Sequence, residues 1–251
     1  MAAIVPLRYL IVYPPLMRHR TDSWQADTPH VTCDVRPAVI APRLARVWFG
    51  ATAACVLAGV VIAMITAAND EGHFHPAPAR AANEFAFFTI QSNLLVGLAT
   101  LLLAVRLDRS STAFAVLRLS GLVAIIATGI GFHAEFAQTL HLKSWEAIWN
   151  ALLHTVVPVM TVVGWLLIGP RSIVSRRVAW LSVIFPVCWL AFTLIRGAIV
   201  HWYPYPFIDV TQIGYGRALL NCVPPPLFTL GLAAAATVLD GRLGQRRALP
   251  D

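Results

Sequence analysis

Charge is scarce in this chain: only 12% of its 251 residues are Asp, Glu, Lys or Arg, against roughly a quarter in a soluble domain. That shortage excludes an ordinary water-soluble fold. Acidic residues are the scarcer kind, 12 against 19 basic ones, which leaves a net charge of +7. The excess does not point to nucleic acid, because the arginines stand between apolar segments, where membrane orientation uses them. Cysteine is sparse as well. Cys33, Cys55, Cys188 and Cys222 show no CxxC spacing, and the last three fall in or beside apolar segments. Neither a disulfide framework nor a zinc site is indicated. No internal repeat and no low-complexity segment is visible.

What is present is long hydrophobic runs. Hydrophobic residues make up 58% of the chain, and the mean hydropathy is +0.69. Since roughly 20 apolar residues cross a bilayer, the sequence predicts six spans: Val47–Thr66, Phe85–Val105, Leu117–Phe136, Trp149–Ile168, Ala179–Val200 and Leu219–Leu239. The expected class is all-α, an integral membrane bundle of six transmembrane helices occupying residues 43–241. In residues 1–42 the run MAAIVPLRYLIVYPPLM is broken by Arg8 and by prolines, so this segment reads as a flexible cytoplasmic tail rather than a signal peptide or span. Residues 242–251 read as a second, C-terminal cytoplasmic tail.

Basic residues orient the bundle. Arg8, Arg18, Arg20, Arg36, Arg43 and Arg46 precede the first span, and Arg106, Arg109 and Arg118 lie in the second connection. Arg171, Arg176 and Arg177 mark the fourth connection, and Arg242, Arg246 and Arg247 the C-terminus. Only Arg80, Lys143 and Arg217 fall on the other side. Positive charge marks the cytoplasmic face, so both termini are expected inside the cell membrane. Trp48, Trp165 and Trp180 then anchor the inner interface, and Trp145, Trp149, Trp202, Tyr203 and Tyr205 the outer one.

With that topology, one shallow layer near the outer face collects the polar side chains. Thr89 lies about four residues, ~6 Å, below the outer end of span two, and His154 lies at nearly the same depth in span four. His133 and Arg196 come just before the outer ends of spans three and five. Thr89, Ser92, Asn93 and Gly97 share one helix face, as do Asn150, His154, Pro158 and Thr161. Lipid offers such groups no partners, so both strips are expected to face the bundle interior. For Gln91, Ser92 and Asn93 the plainer reading is interhelical glue. For His133 it is a solvated helix end, and for Arg196 a snorkelling side chain. His73 and His75 form a lone H-x-H, which reads as a solvated loop, and no metal or cofactor is expected. The outer loop WYPYPFID, Trp202 to Asp209, is expected to cap the layer, with Asp209 pairing with Arg196.

A hydroxyl and an imidazole at equal depth invite nucleophilic ester chemistry. His154 would take the Thr89 proton, the alkoxide would attack an ester carbonyl, and Asn93, Gln91 or Asn150 would donate to the oxyanion. FFTIQSN at the head of span two and NALLHTVVP, Asn150 to Pro158, in span four resemble the androgen-induced and androgen-dependent family of multi-pass membrane hydrolases. The resemblance covers roughly residues 84–168 and implies an intramembrane Thr and His, carried onto Thr89 and His154, that cleave fatty acid esters of hydroxy fatty acids. The whole chain is also similar to a bacterial group of six-span proteins of no assigned function. Membrane lipids, a lipid ester among them, are therefore the expected partners. Two other classes stay open at this point. One is a small-solute or proton transporter using Arg196, His154, His133 and Asp209, against which stands the lack of polar residues in the inner halves of the spans. The other is a non-catalytic structural or assembly protein.

Overall fold

The computed structural model describes residues 41–135 and 144–246. The expected tail of residues 1–42 lies outside them except for Ala41 and Pro42. Among the described residues every regular element is helical. Six helical segments are long and apolar enough to cross a membrane: Pro42–Asn69, Phe88–Val105, Thr112–Ala134, Trp145–Leu167, Arg176–Val200 and Val210–Gln245. Leu57, Ile65, Leu101, Ile195, Ile199 and Leu220 on these segments are mostly exposed, which a lipid surrounding accommodates and water would not. The chain is a multi-pass membrane protein.

Helix α1 (Pro42–Asn69) opens with proline in its first turn, where the missing N–H has no intrahelical partner to lose. Its stripe of Ala45, Phe49, Thr52, Val56, Gly59 and Ala63 is buried along α3 (Phe88–Val105) and the fourth span. A short helix α2 (Ala77–Asn83) and one 3-10 turn (Glu84–Ala86) lead into α3. Phe87 is extended, with ψ 136°, so α3 begins at Phe88 and not at Phe85 as the hydropathy suggested. Thr89 is therefore the second residue of its helix.

Helix α4 (Thr112–Glu135) is the most enclosed of the six spans. It packs against α3, against the fourth span and against α7 (Arg176–Ser182). Its helix begins before Leu117, the residue the sequence suggested, and carries Arg118 inside the span. That guanidinium, only 7% exposed, donates to the carbonyls of Gly169 and Pro170 at 2.7 and 2.8 Å. Asp240 accepts the N–H groups of Ile173 and Val174. These two side chains hold the connection between spans four and five. Both sit at the end of the bundle away from Thr89, in the half of the helices expected to be apolar.

The fourth span is a continuous rod in three parts: α5 (Ser144–Ala151), one π-helical turn (Leu152–Val156) and α6 (Val157–Leu167). Span five is α7 followed by α8 (Ile184–Val200), and α8 closes on a left-handed His201 at φ 55°. A 3-10 turn (Pro206–Ile208) precedes α9 (Val210–Asn221) and α10 (Pro224–Arg246). Residues Arg242 to Arg246, expected in the C-terminal tail, continue α10. The start of α3, the end of α8 and the 201–209 connection share one end of the bundle, joined by Arg196 donating to Asn83 Oδ1 at 2.7 Å and by Trp202 against Phe87 at 5.7 Å.

Candidate functional site

The π turn determines where His154 points. In an α-helix the N–H of Val157 would bond to Leu153 O; here it bonds to Leu152 O. The next residue able to reach Leu153 O from the helix is Pro158, which has no N–H. Leu153 O is thus left without a helical partner in a buried setting, a cost of about 1–3 kcal/mol if unmet. Asn93 Nδ2 meets it from α3 at 3.2 Å. Gly129 of α4 makes room for the widened turn: a Cβ there would lie 3.3 Å from His154 O and 3.4 Å from Pro158. π turns of this kind are frequent at functional sites.

The imidazole that this turn presents is only 7% exposed. Its Nδ1 lies 3.2 Å from the backbone carbonyl of Asn150. A carbonyl only accepts, so the ring proton resides on Nδ1 and Nε2 carries a lone pair. That lone pair faces the Thr89 hydroxyl, with Nε2 and Oγ1 3.2 Å apart. Phe132 stacks on the ring at 4.1 Å and 21°, and Trp149 flanks it at 6.3 Å. Both ring faces and both nitrogens are thereby constrained.

Thr89 is held as firmly. Its carbonyl accepts from Ser92 Oγ at 3.0 Å and from Asn93 Nδ2 at 2.8 Å. Ser92 also bonds to the Thr128 hydroxyl of α4 at 2.9 Å. Ser92 and Asn93 are fully buried, as their helix face implied, and they position Thr89 rather than line a cavity. Asn150 contributes through its backbone; its side-chain amide turns back to Glu146 O at 2.9 Å.

The remaining sequence candidates stand apart from this contact. Gln91 donates to Phe85 O at 2.8 Å in an exposed position. His133 Nε2 meets the Thr155 hydroxyl at 3.0 Å. The expected Arg196–Asp209 pair is not formed. Arg196 donates to Asn83 Oδ1 at 2.7 Å and lies over the rings of Phe74 and Trp202. Asp209 instead caps α9, accepting from Thr211 N at 3.0 Å and from Gln212 Nε2 at 2.6 Å. The reason is local: an N-cap carboxylate next to two uncompensated N–H groups finds partners in its own chain. Among the described residues no three His, Cys, Asp or Glu side chains come together as a metal-ligand set.

One group was missed. Tyr205, read only as part of an aromatic cap, places its hydroxyl beside the Thr89 hydroxyl and beside the backbone N–H groups of Phe88 and Thr89. Nothing in the sequence spacing brings residue 205 to residue 89; the packing of the 201–209 connection does. The cap itself is present, with Trp202 and Tyr205 each edge-on to Phe87, at 5.7 and 5.8 Å. Compared with protein-family models, curated proteins and solved structures, the chain matches none.

Proposed function

We propose that this multi-pass membrane protein is an intramembrane threonine hydrolase acting on lipid or fatty acid esters, in the manner of the androgen-induced and androgen-dependent hydrolases it resembles. The observation that carries the reading is the 3.2 Å contact between Thr89 Oγ1 and His154 Nε2, with Nδ1 committed to Asn150 O. It is the arrangement a nucleophile and its general base require: base within reach of the hydroxyl, and the base oriented by a third group.

In the reaction, His154 Nε2 takes the Thr89 proton as Oγ1 attacks the ester carbonyl. The imidazolium then protonates the departing alcohol, leaving an acyl-threonine. Water, activated by the same nitrogen, hydrolyses that ester and restores the enzyme. Asn150 O, on Nδ1–H, favours the positive ring of the intermediate. The position of Thr89 in the second place of α3, at the end of a membrane span, suits an ester whose carbonyl sits near the headgroup boundary.

Both termini facing the cytoplasm of the cell membrane follow from the arginine distribution, which places the dyad toward the outer leaflet. The purified protein in detergent micelles, assayed on a long-chain fluorogenic ester, tests the activity. Hydrolysis should vanish in Thr89→Ala and in His154→Ala, and a fluorophosphonate probe should label wild type but not Thr89→Ala. Equal hydrolysis by wild type and Thr89→Ala would refute the reading.

A further inference from the structure

A threonine nucleophile needs donors for the oxyanion, and the amide side chains near Thr89 are committed elsewhere. Asn93 Nδ2 serves Thr89 O and Leu153 O, Asn150 Nδ2 serves Glu146 O, and Gln91 Nε2 serves Phe85 O at the exposed side. What does lie beside the Thr89 hydroxyl is the Tyr205 phenol, whose oxygen accepts from the N–H groups of Phe88 and Thr89. Those amides open α3, whose N-cap Phe87 supplies no side-chain acceptor, so they have no intrahelical partner.

Resting on the hydrolase reading, we infer that Tyr205 is a catalytic residue, its phenol O–H donating to the oxyanion while the amides of Phe88 and Thr89 donate to the phenol oxygen and hold it in place. The geometry follows from bonding. When Thr89 Oγ1 bonds to the carbonyl carbon, the carbonyl oxygen becomes its geminal neighbour, so a donor beside Oγ1 is beside the oxyanion. In the step, the Thr89 O–H bond breaks and its proton goes to His154 Nε2. The Oγ1–C bond forms, and the carbonyl π pair becomes the oxyanion lone pair. Tyr205 keeps its proton throughout. Collapse expels the alcohol, which takes the proton from His154.

The loop is built to hold that phenol in place. Pro204 and Pro206 flank Tyr205, and each fixes its own φ. The ring meets Phe87, Trp189 and Phe207 at 5.7 to 5.8 Å. Ile208, fully buried, pins the turn, and its N–H bonds back to Tyr205 O at 3.2 Å. Burial pushes the Tyr205 phenol above its ordinary value, so it stays a neutral donor. Preorganised donors of this kind supply about 10²–10³ in rate each.

The test uses the full chain in micelles with p-nitrophenyl octanoate. Tyr205→Phe removes the hydroxyl and keeps the ring contacts. It should lower kcat about 10²-fold with KM and melting temperature close to wild type. A kcat within about threefold of wild type, under the 10²-fold expected of a donor, would overturn this role and leave the Thr89–His154 reading standing. Wild type no faster than Thr89→Ala would overturn both. If Tyr205→Phe loses its thermal transition, fluorotyrosines at position 205 decide: the alkaline limb of the kcat profile should move to lower pH as the phenol becomes more acidic. An unmoved limb would assign the hydroxyl to helix capping alone.

Discussion

Thr89 Oγ1 and His154 Nε2 lie 3.2 Å apart although 65 residues separate them in the chain. The contact joins the first turn of α3 to the π turn of the fourth span, and each partner is fixed by side chains of a third helix, α4. Phe132 of α4 covers the imidazole, and Thr128 of α4 holds Ser92 beneath the threonine.

Thr89→Ser keeps the hydroxyl and should retain measurable hydrolysis, whereas Phe132→Leu should lower kcat about tenfold. The latter figure corresponds to ~1.4 kcal/mol of transition-state stabilisation, the scale of one stacked ring contact. Steady-state kinetics in micelles measures both. Wild-type kcat in Phe132→Leu would mean the stack does not orient the imidazole.

Pro158→Ala supplies an N–H one turn after His154. The π turn should relax to α geometry, rotating the imidazole away from Thr89 and returning Leu153 O to a helical partner. Hydrolysis should drop at least tenfold while the melting temperature holds or rises, since interior proline costs a helix about 3 kcal/mol. Undiminished activity would show that the turn is not what aims the ring.

Gly59 of α1 faces Leu153: a Cβ there would meet the leucine side chain at 2.5 Å. Gly59→Ala should therefore destabilise the protein by about 1–3 kcal/mol, as overpacking does. The double variant with Leu153→Ala should recover part of that loss, which thermal unfolding of the four-member cycle would read directly.

Glu84, in the turn before α3, has its carboxyl pushed up to about 7 by burial. The folded protein then holds a proton that the unfolded chain releases near 4.5, so folding loses stability as pH rises through this window and levels off above about 7. Melting temperatures should fall between pH 5 and pH 8 in wild type, and Glu84→Gln should flatten that slope. An identical slope in the variant would assign the pH dependence to other groups.

Orientation is tested on intact cells. A cysteine replacing His75, between α1 and α2, should react with a membrane-impermeant maleimide added outside, in a background lacking the native cysteines. Labelling only after permeabilisation would invert the topology and place the dyad at the inner leaflet.

Composition alone determined that this is a helical membrane bundle, because a bilayer demands long apolar segments whose backbone bonds close within the segment. The number of spans, their approximate limits and the buried faces of Ser92, Asn93 and His154 were legible for the same reason: hydrocarbon leaves polar groups only one side to face. Contacts between distant segments were decided by tertiary packing. Hydropathy treats Phe85 and Phe88 alike, so the extended Phe87 that makes Thr89 the second residue of α3 was invisible. A proline in a span announces a lost hydrogen bond but not whether a π turn or a kink absorbs it. Charge marks a loop only on average, and Arg118 went inside because two loop carbonyls were waiting for it. Tyr205 reached Thr89 by way of a short aromatic loop folding over α3, a placement that no periodicity encodes, because loops carry no repeat from which a direction can be read.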